Sequence, residues 1–305
     1  MSGQLALGID LGASRLRAAL VDSTGNVLAR AACDTDVGGG PHGVMTQMER
    51  LTGEVSGSAK IAAAGICAPG PLDSDSGTVI GISTMPGWED VPLRDLMSKR
   101  LGLPVVLEND GIAAANGEWR FGAARNLKHL VYVTVSTGIG GGVVADGKLL
   151  RGRRGMAGHV GHMIVAPDGP MCTCGARGCF EALASGSALG AAGRLALADE
   201  KVTAAAVTAA ARGGNRVALD LLDTFARRLG IGFTSLMHLY SPERLVMGGG
   251  VAHAFDLMAP RIRETVAANT MAPFRDVEIV AAALGDNAGL VGVAALALAA
   301  MPSAV

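Results

Sequence analysis

The chain is predicted to be an α/β protein built from two related halves. Three observations predict it. Short apolar runs of strand length end in glycine-rich turns. Segments with apolar residues at helical spacing lie between them. The opening theme of strand, glycine turn and strand at 5–22 returns at 129–150.

In order along the chain, LALGIDLGASRLRAALVD (5–22) reads as strand, turn, strand. GVMTQMERLTGEV places apolar residues at 44, 45, 48, 51 and 55, one face of a helix. KIAAAGICAPG (60–70) is a buried strand that ends in a Gly/Pro loop. LPVVLEND (103–110) is a second buried strand whose polar end precedes a helix at about 111–120. HLVYVTVSTGIGGGVVADGKLL (129–150) repeats the opening hairpin theme. From 187 to 240 the pattern is mostly helical, with loops near RGGNR. RLVMGGGV (244–251) is a strand running into three glycines and then a helix, and VEIVAAAL (277–284) is a last strand. AGLVGVAALALAAM (288–301) reads as a buried terminal helix. With no low-complexity linker, the halves should pack closely and hinge near residues 110–120.

Composition narrows the function. The 305 residues suggest two domains, since a domain takes roughly 150 residues. Half the residues are hydrophobic and 44 are glycine, which suits α/β layers with tight turns. The net charge is −1 and no Lys/Arg run exists, which argues against a nucleic-acid surface. The longest apolar run is shorter than the roughly 20 residues of a membrane span. The N-terminus lacks a basic n-region, and Asp10 interrupts its apolar stretch, so a signal peptide is not expected and the cytoplasm is.

The chemistry-bearing residues cluster. Of five cysteines, Cys172, Cys174 and Cys179 fall within eight residues, downstream of His162. Three thiolates and an imidazole complete a tetrahedral zinc shell, and a closed shell of four protein ligands is structural. Gly175 and Gly178 let the chain wrap tightly there. Buried free cysteines are the plainer alternative, but packing alone does not account for CxC with a third cysteine five residues on. His159 is then spare, and taken alone it reads as an ordinary hydrogen-bonded histidine. DLGAS (10–14) and STGIGGG (136–142) can aim backbone N–H groups at phosphate oxygens, with Asp10 near a nucleotide-bound magnesium. MGGGVA (247–252) can pass under an adenosine. Hairpin turns alone would also explain these glycines. Neither GxGxxG after a first strand nor GxxxxGK[ST] is present. Asp110, closing END, suits a base that takes a proton from a hydroxyl attacking phosphate; taken alone, capping of the following helix is its commoner role.

GIDLGAS, PGPLD, PGWEDVPLRDL, ENDGIAAANGEWRFG, STGIGGGVV, AGHVGHM, CxCGxxGC and MGGGVA occur in the order of one family. Together they resemble the ROK family of bacterial sugar kinases, within the actin-like ATPase superfamily. The resemblance spans nearly the whole chain. It implies a two-lobed actin-like ATPase (ribonuclease H-like) fold with an inserted zinc-binding loop at 159–181. It places a smaller N-terminal domain at 1–115, joined by the C-terminal helix at about 289–303, and a larger domain at 116–288.

The resemblance implies ATP-dependent phosphorylation of a hexose 6-hydroxyl, with Mg2+ and a structural Zn2+. Asp110 matches the catalytic base and Asn109 a sugar ligand. Gly70 lies in a loop that approaches the sugar. Asp10, Gly12, Thr137, Gly138 and Gly140 match positions around magnesium and the ATP phosphates. Gly248, Gly249 and Gly250 match the adenosine side. His162, Cys172, Cys174 and Cys179 match the zinc ligands, and the zinc supports the sugar loop. Two positions depart from the family pattern. ExGH is HVGH here, so His159 replaces a glutamate that contacts the sugar near carbons 1 and 2. An Asn before PGW is missing, and Thr84 stands near that place. A neutral imidazole donates one hydrogen bond and accepts one, which suits an acetamido carbonyl on carbon 2. The AGHxGH form resembles N-acetylmannosamine kinases, whereas PGWEDVPLRDL and GEWRFG look more like glucokinases. N-acetylmannosamine is therefore the expected substrate and glucose the alternative. Regulators of the family carry an N-terminal helix-turn-helix; the first strand here begins at about residue 5, which favours an enzyme over a sugar-sensing regulator. The resemblance also implies a homodimer.

Overall fold

The computed structural model describes residues 3–82 and 84–302. The described residues form two compact units, one within 3–126, 149–158 and 287–302, the other of 127–148 and 159–286.

In the first unit, β1 (Leu5–Leu11), β2 (Arg15–Asp22) and β3 (Val27–Asp34) form an antiparallel meander. Helix α1 (Gly40–Ser56) buries Val44, Met45, Met48, Leu51 and Val55, the face its spacing predicted. Strand β4 (Ile61–Ala68) pairs parallel with β1. A short hairpin of β5 (Leu72–Asp73) and β6 (Thr78–Val79) follows a cis Gly70–Pro71 bond. After α2 (Leu93–Leu101), strand β7 (Val105–Asn109) pairs parallel with β4 and feeds directly into α3 (Asp110–Phe121). The sheet order is β3-β2-β1-β4-β7.

The second unit repeats this plan. Strands β8 (Leu130–Val135), β9 (Ile139–Ala145) and β10 (Lys148–Leu149) open it. Helices α4 (Phe180–Ala184), α5 (Gly186–Leu197), α6 (Ala204–Arg212) and α7 (Arg216–Tyr240) follow. Strand β11 (Arg244–Gly248), helix α8 (Phe255–Asn269) and strand β12 (Glu278–Ala281) close it. Its order, β10-β9-β8-β11-β12, has the connectivity of the first sheet, with β11 parallel to both β8 and β12. The core of this unit packs α7 and α8 residues such as Phe233, Leu236 and Ile262 on Val131 and Val133.

The last helix, α9 (Ala288–Ala299), returns to the first unit. It is apolar on every side, as a helix enclosed by other elements must be. Small residues admit it: a Cβ on Gly65 would lie 2.3 Å from the Val293 carbonyl oxygen, and one on Gly292 would lie 1.7 Å from that of Ala113.

Candidate functional site

In the first unit, polar groups gather where the parallel strands end. The register sets Asp10 beside Cys67 and Cys67 beside Glu108, with Ala68 opposite Asn109. Ligands of open α/β sheets bind at such carboxyl ends. Asp10 is half-buried; its Oδ2 accepts from Arg17 Nη1 at 2.9 Å, and the Cys67 thiol donates to its Oδ1 at 3.7 Å. Burial, then the charges of Asp10 and Asp110, push the Cys67 thiol well up, so it stays protonated.

The structure divides labour within END. Asn109 is the N-cap of α3: its Oδ1 accepts the N–H groups of Gly111 at 3.0 Å and Ile112 at 3.4 Å. The helix-capping role open to Asp110 in the sequence therefore falls to its neighbour. Asn109 keeps its Nδ2–H pair as what it can offer a ligand. Asp110 Oδ1 accepts the adjacent Gly111 N–H at 2.8 Å. Burial, then the negative charge of Asp10, push the Asp110 carboxyl up to about 6. A carboxylate tuned to that range is a competent general base near neutral pH.

Gly12 closes the β1–β2 turn, its N–H donating to the Arg15 carbonyl at 3.0 Å. Gly70 precedes the cis bond, and Thr84 lies in an exposed turn.

In the second unit, two glycine loops meet at the strand ends. The turn holding Thr137 and Gly138 links β8 to β9, with Ser136 N–H donating to Gly138 O at 2.9 Å, whereas Gly140 lies within β9, opposite Thr134. The loop of Gly248, Gly249 and Gly250 leaves the neighbouring β11, whose Gly248 pairs with Thr134. Gly249 has φ +84, and a Cβ there would lie 2.5 Å from the Val135 carbonyl oxygen, so only glycine fits.

His162, Cys172, Cys174 and Cys179 converge, all ligand atoms within 4.8 Å of one another. Cys174 and Cys179 sulfurs are 3.6 Å apart, and Cys172 Sγ is 3.8 Å from His162 Nδ1. Zn–S bonds of about 2.3 Å in a tetrahedron require sulfurs about 3.8 Å apart, so the four groups fit zinc. Burial and the adjacent sulfurs push the Cys179 thiol up to about 12, whereas hydrogen bonds, first from the Ala176 N–H, hold the Cys174 thiol below its ordinary value. Gly178, at φ +71, passes so close to Ala166 that a Cβ would lie 1.5 Å from its carbonyl oxygen.

His159 is exposed, just before the single 3-10 turn Val160–His162, with its ring centroid 6.2 Å from that of His162. Desolvation and His162 hold its pKa below the ordinary histidine value, so the ring is neutral at pH 7. It joins no ligand set among the described residues.

Two further groups gain a role only from the fold. Glu181, two residues beyond the last cysteine, accepts the Ile139 N–H at 2.8 Å, while its Oε1 lies 3.8 Å from Cys172 Sγ. It therefore ties the metal cluster to the glycine turn. Its signal was an acidic residue in the first turn of a helix begun by a ligand. Arg151 pairs with Glu108, and no local spacing announces a partner 43 positions away.

The sequence profile of the ROK family matches residues 6–300. The chain is 37% identical to a glucokinase of Thermotoga maritima over 304 residues, covering 95% of this chain and 96% of that one. It resembles the crystal structure of a ROK family glucokinase from Streptomyces griseus in complex with glucose and AMPPNP, with 34% identity and a TM-score of 0.89 over 97% of this chain and 99% of the other. It is also 32% identical to the Bacillus subtilis xylose repressor over 235 residues, 77% of this chain and 60% of the repressor. The chain belongs to the ROK family, and its fold is the α/β, actin-like one with a Cys3His cluster inserted.

Proposed function

We propose that this protein is an ATP-dependent hexose 6-kinase acting on glucose. The observation that carries this reading is Asp110. It stands at a strand's carboxyl end, relieved of capping by Asn109, and its carboxyl sits at about 6. The preference for glucose rests on similarity to glucokinases along nearly the whole chain.

In this reading, Asp110 takes the proton of the sugar 6-hydroxyl as that oxygen attacks the γ-phosphorus. Asn109 orients the sugar through Nδ2, and Gly70, Thr84 and His159 complete its contacts. The backbone N–H groups around Thr137, Gly138 and Gly140 bind phosphate oxygens, with Gly12 serving the same end in the first unit. Gly248, Gly249 and Gly250 leave room for the adenosine. Asp10 suits a magnesium that is otherwise held by phosphates and water. ATP with Mg2+ supplies the phosphoryl group and neutralises the charge that develops on the leaving oxygens. His162, Cys172, Cys174 and Cys179 hold a structural zinc that fixes the 159–181 loop. We place the enzyme in the cytoplasm as a homodimer.

His159 favours a second reading. A neutral imidazole can donate to an acetamido carbonyl, which would make N-acetylmannosamine the substrate. Steady-state kinetics with ATP and glucose, mannose, fructose, N-acetylglucosamine and N-acetylmannosamine decides. The highest kcat/KM is expected for glucose; a higher value for N-acetylmannosamine selects the second reading. Binding of a sugar without ADP release from any of the five would make the protein a sensor and refute the kinase.

A further inference from the structure

Leu149–Gly158, LLRGRRGMAG, starts at the last residue of β10 but belongs to the first unit. Two of its arginines reach buried carboxylates there. Arg151 Nη2 lies 2.6 Å from Glu108 Oε2, and Arg154 Nε lies 2.7 Å from Asp73 Oδ2. The strap presses close: Ser74 N–H donates to the Arg154 carbonyl at 3.1 Å, and a Cβ on Gly155 would lie 1.7 Å from Ser74 Oγ.

Glu108 is 1% exposed, and its other oxygen, Oε1, accepts the Asn109 N–H at 3.0 Å. It therefore grips the backbone one residue before Asp110. A buried carboxylate holds such a grip as an anion only beside a cation. We infer that Arg151 is a positioning residue for Asp110: by neutralising Glu108, it holds in place the strand end from which Asn109 and Asp110 project. This inference rests on the kinase reading for its catalytic consequence, but not for its structural one.

Without Arg151, Glu108 either takes a proton or turns toward water. Both weaken its bond to the Asn109 N–H. The start of α3 then loosens, and a base displaced by about 1 Å loses on the order of 100-fold in rate. Glutamine at 108 keeps an oxygen for the Asn109 N–H and needs no cation. A mere surface staple would show neither a kcat effect nor rescue of this kind.

The test uses the full chain with R151M, E108Q and the double variant R151M/E108Q. Two readouts are taken: steady-state kinetics with glucose and ATP, and hydrogen exchange of amides 109–113. R151M is expected to lower kcat by about tenfold or more, with KM for ATP changed by less than about twofold. Its amides 109–113 are expected to exchange faster. R151M/E108Q should recover kcat to within about threefold of wild type and restore the protection. Exchange at 109–113 unchanged in R151M, or a double variant no better protected than R151M, overturns the inference. If wild-type protein turns over no hexose, the kinase reading falls, and the exchange comparison still decides the role of Arg151.

Discussion

Asp110 meets two opposing demands. As the proposed base it must be ionised at working pH, and burial beside Asp10 makes ionisation unfavourable. Asp110→Asn should lower kcat by at least about 100-fold, the usual size of general-base help, while leaving the fold intact. The kcat/KM for sugar should fall as pH drops through about 6, because the protonated carboxyl cannot accept. Stability runs the other way. A carboxyl whose folded pKa is raised contributes stability below its unfolded value, and that contribution is lost as pH rises through about 6. Asp110→Asn should therefore melt higher than wild type at pH 8, which calorimetry measures directly. His159→Glu tests the sugar contact: the kcat/KM ratio of glucose to N-acetylmannosamine should rise, and an unmoved ratio would remove His159 from recognition of carbon 2. Asp110 was legible as a carboxylate at a strand end. Which of two adjacent residues caps α3 was not, because Asn and Asp cap equally well and only the backbone geometry chooses.

Helix α9 and the metal loop show how elements impose residue types. Gly292 is small because α3 lies against it, so Gly292→Val should destabilise the protein by about 1–3 kcal/mol or more through overpacking, seen as a lower Tm. In the second unit, metal analysis of fresh protein should find about one zinc per chain. Chelation or Cys174→Ser should loosen residues 159–181 and raise the KM for sugar. Through Glu181 it should also loosen the turn at Ser136–Ile139, visible as faster amide exchange at Ile139. The apolar strands and α1 were legible because their periods are clean. Strand β3 and helix α2 were not: VLARAACD alternates with alanines rather than large apolar residues, and LRDLMSKRL buries only Leu93 and Met97.

For the whole molecule, binding should register as stability. A hexose at about 100 times its Kd should stabilise the fold by about 2.7 kcal/mol, and a thermal-shift series would rank the five sugars independently of turnover. The repeated hairpin theme foretold two related halves, because glycine turns and apolar runs are local signals, and the two sheets share one connectivity. The Cys3His cluster was equally plain, being four residues within eighteen positions. The sequence by itself determined the α/β class, the family and the metal cluster. Tertiary structure alone decided that 149–158 belongs to the first unit, that Arg151 faces Glu108, and that Glu181 bridges the Cys3His cluster and the glycine turn. The physical reason is range: periodicity and motif spacing act over a few residues, whereas pairing of a buried charge depends on which distant segments the packed core brings together.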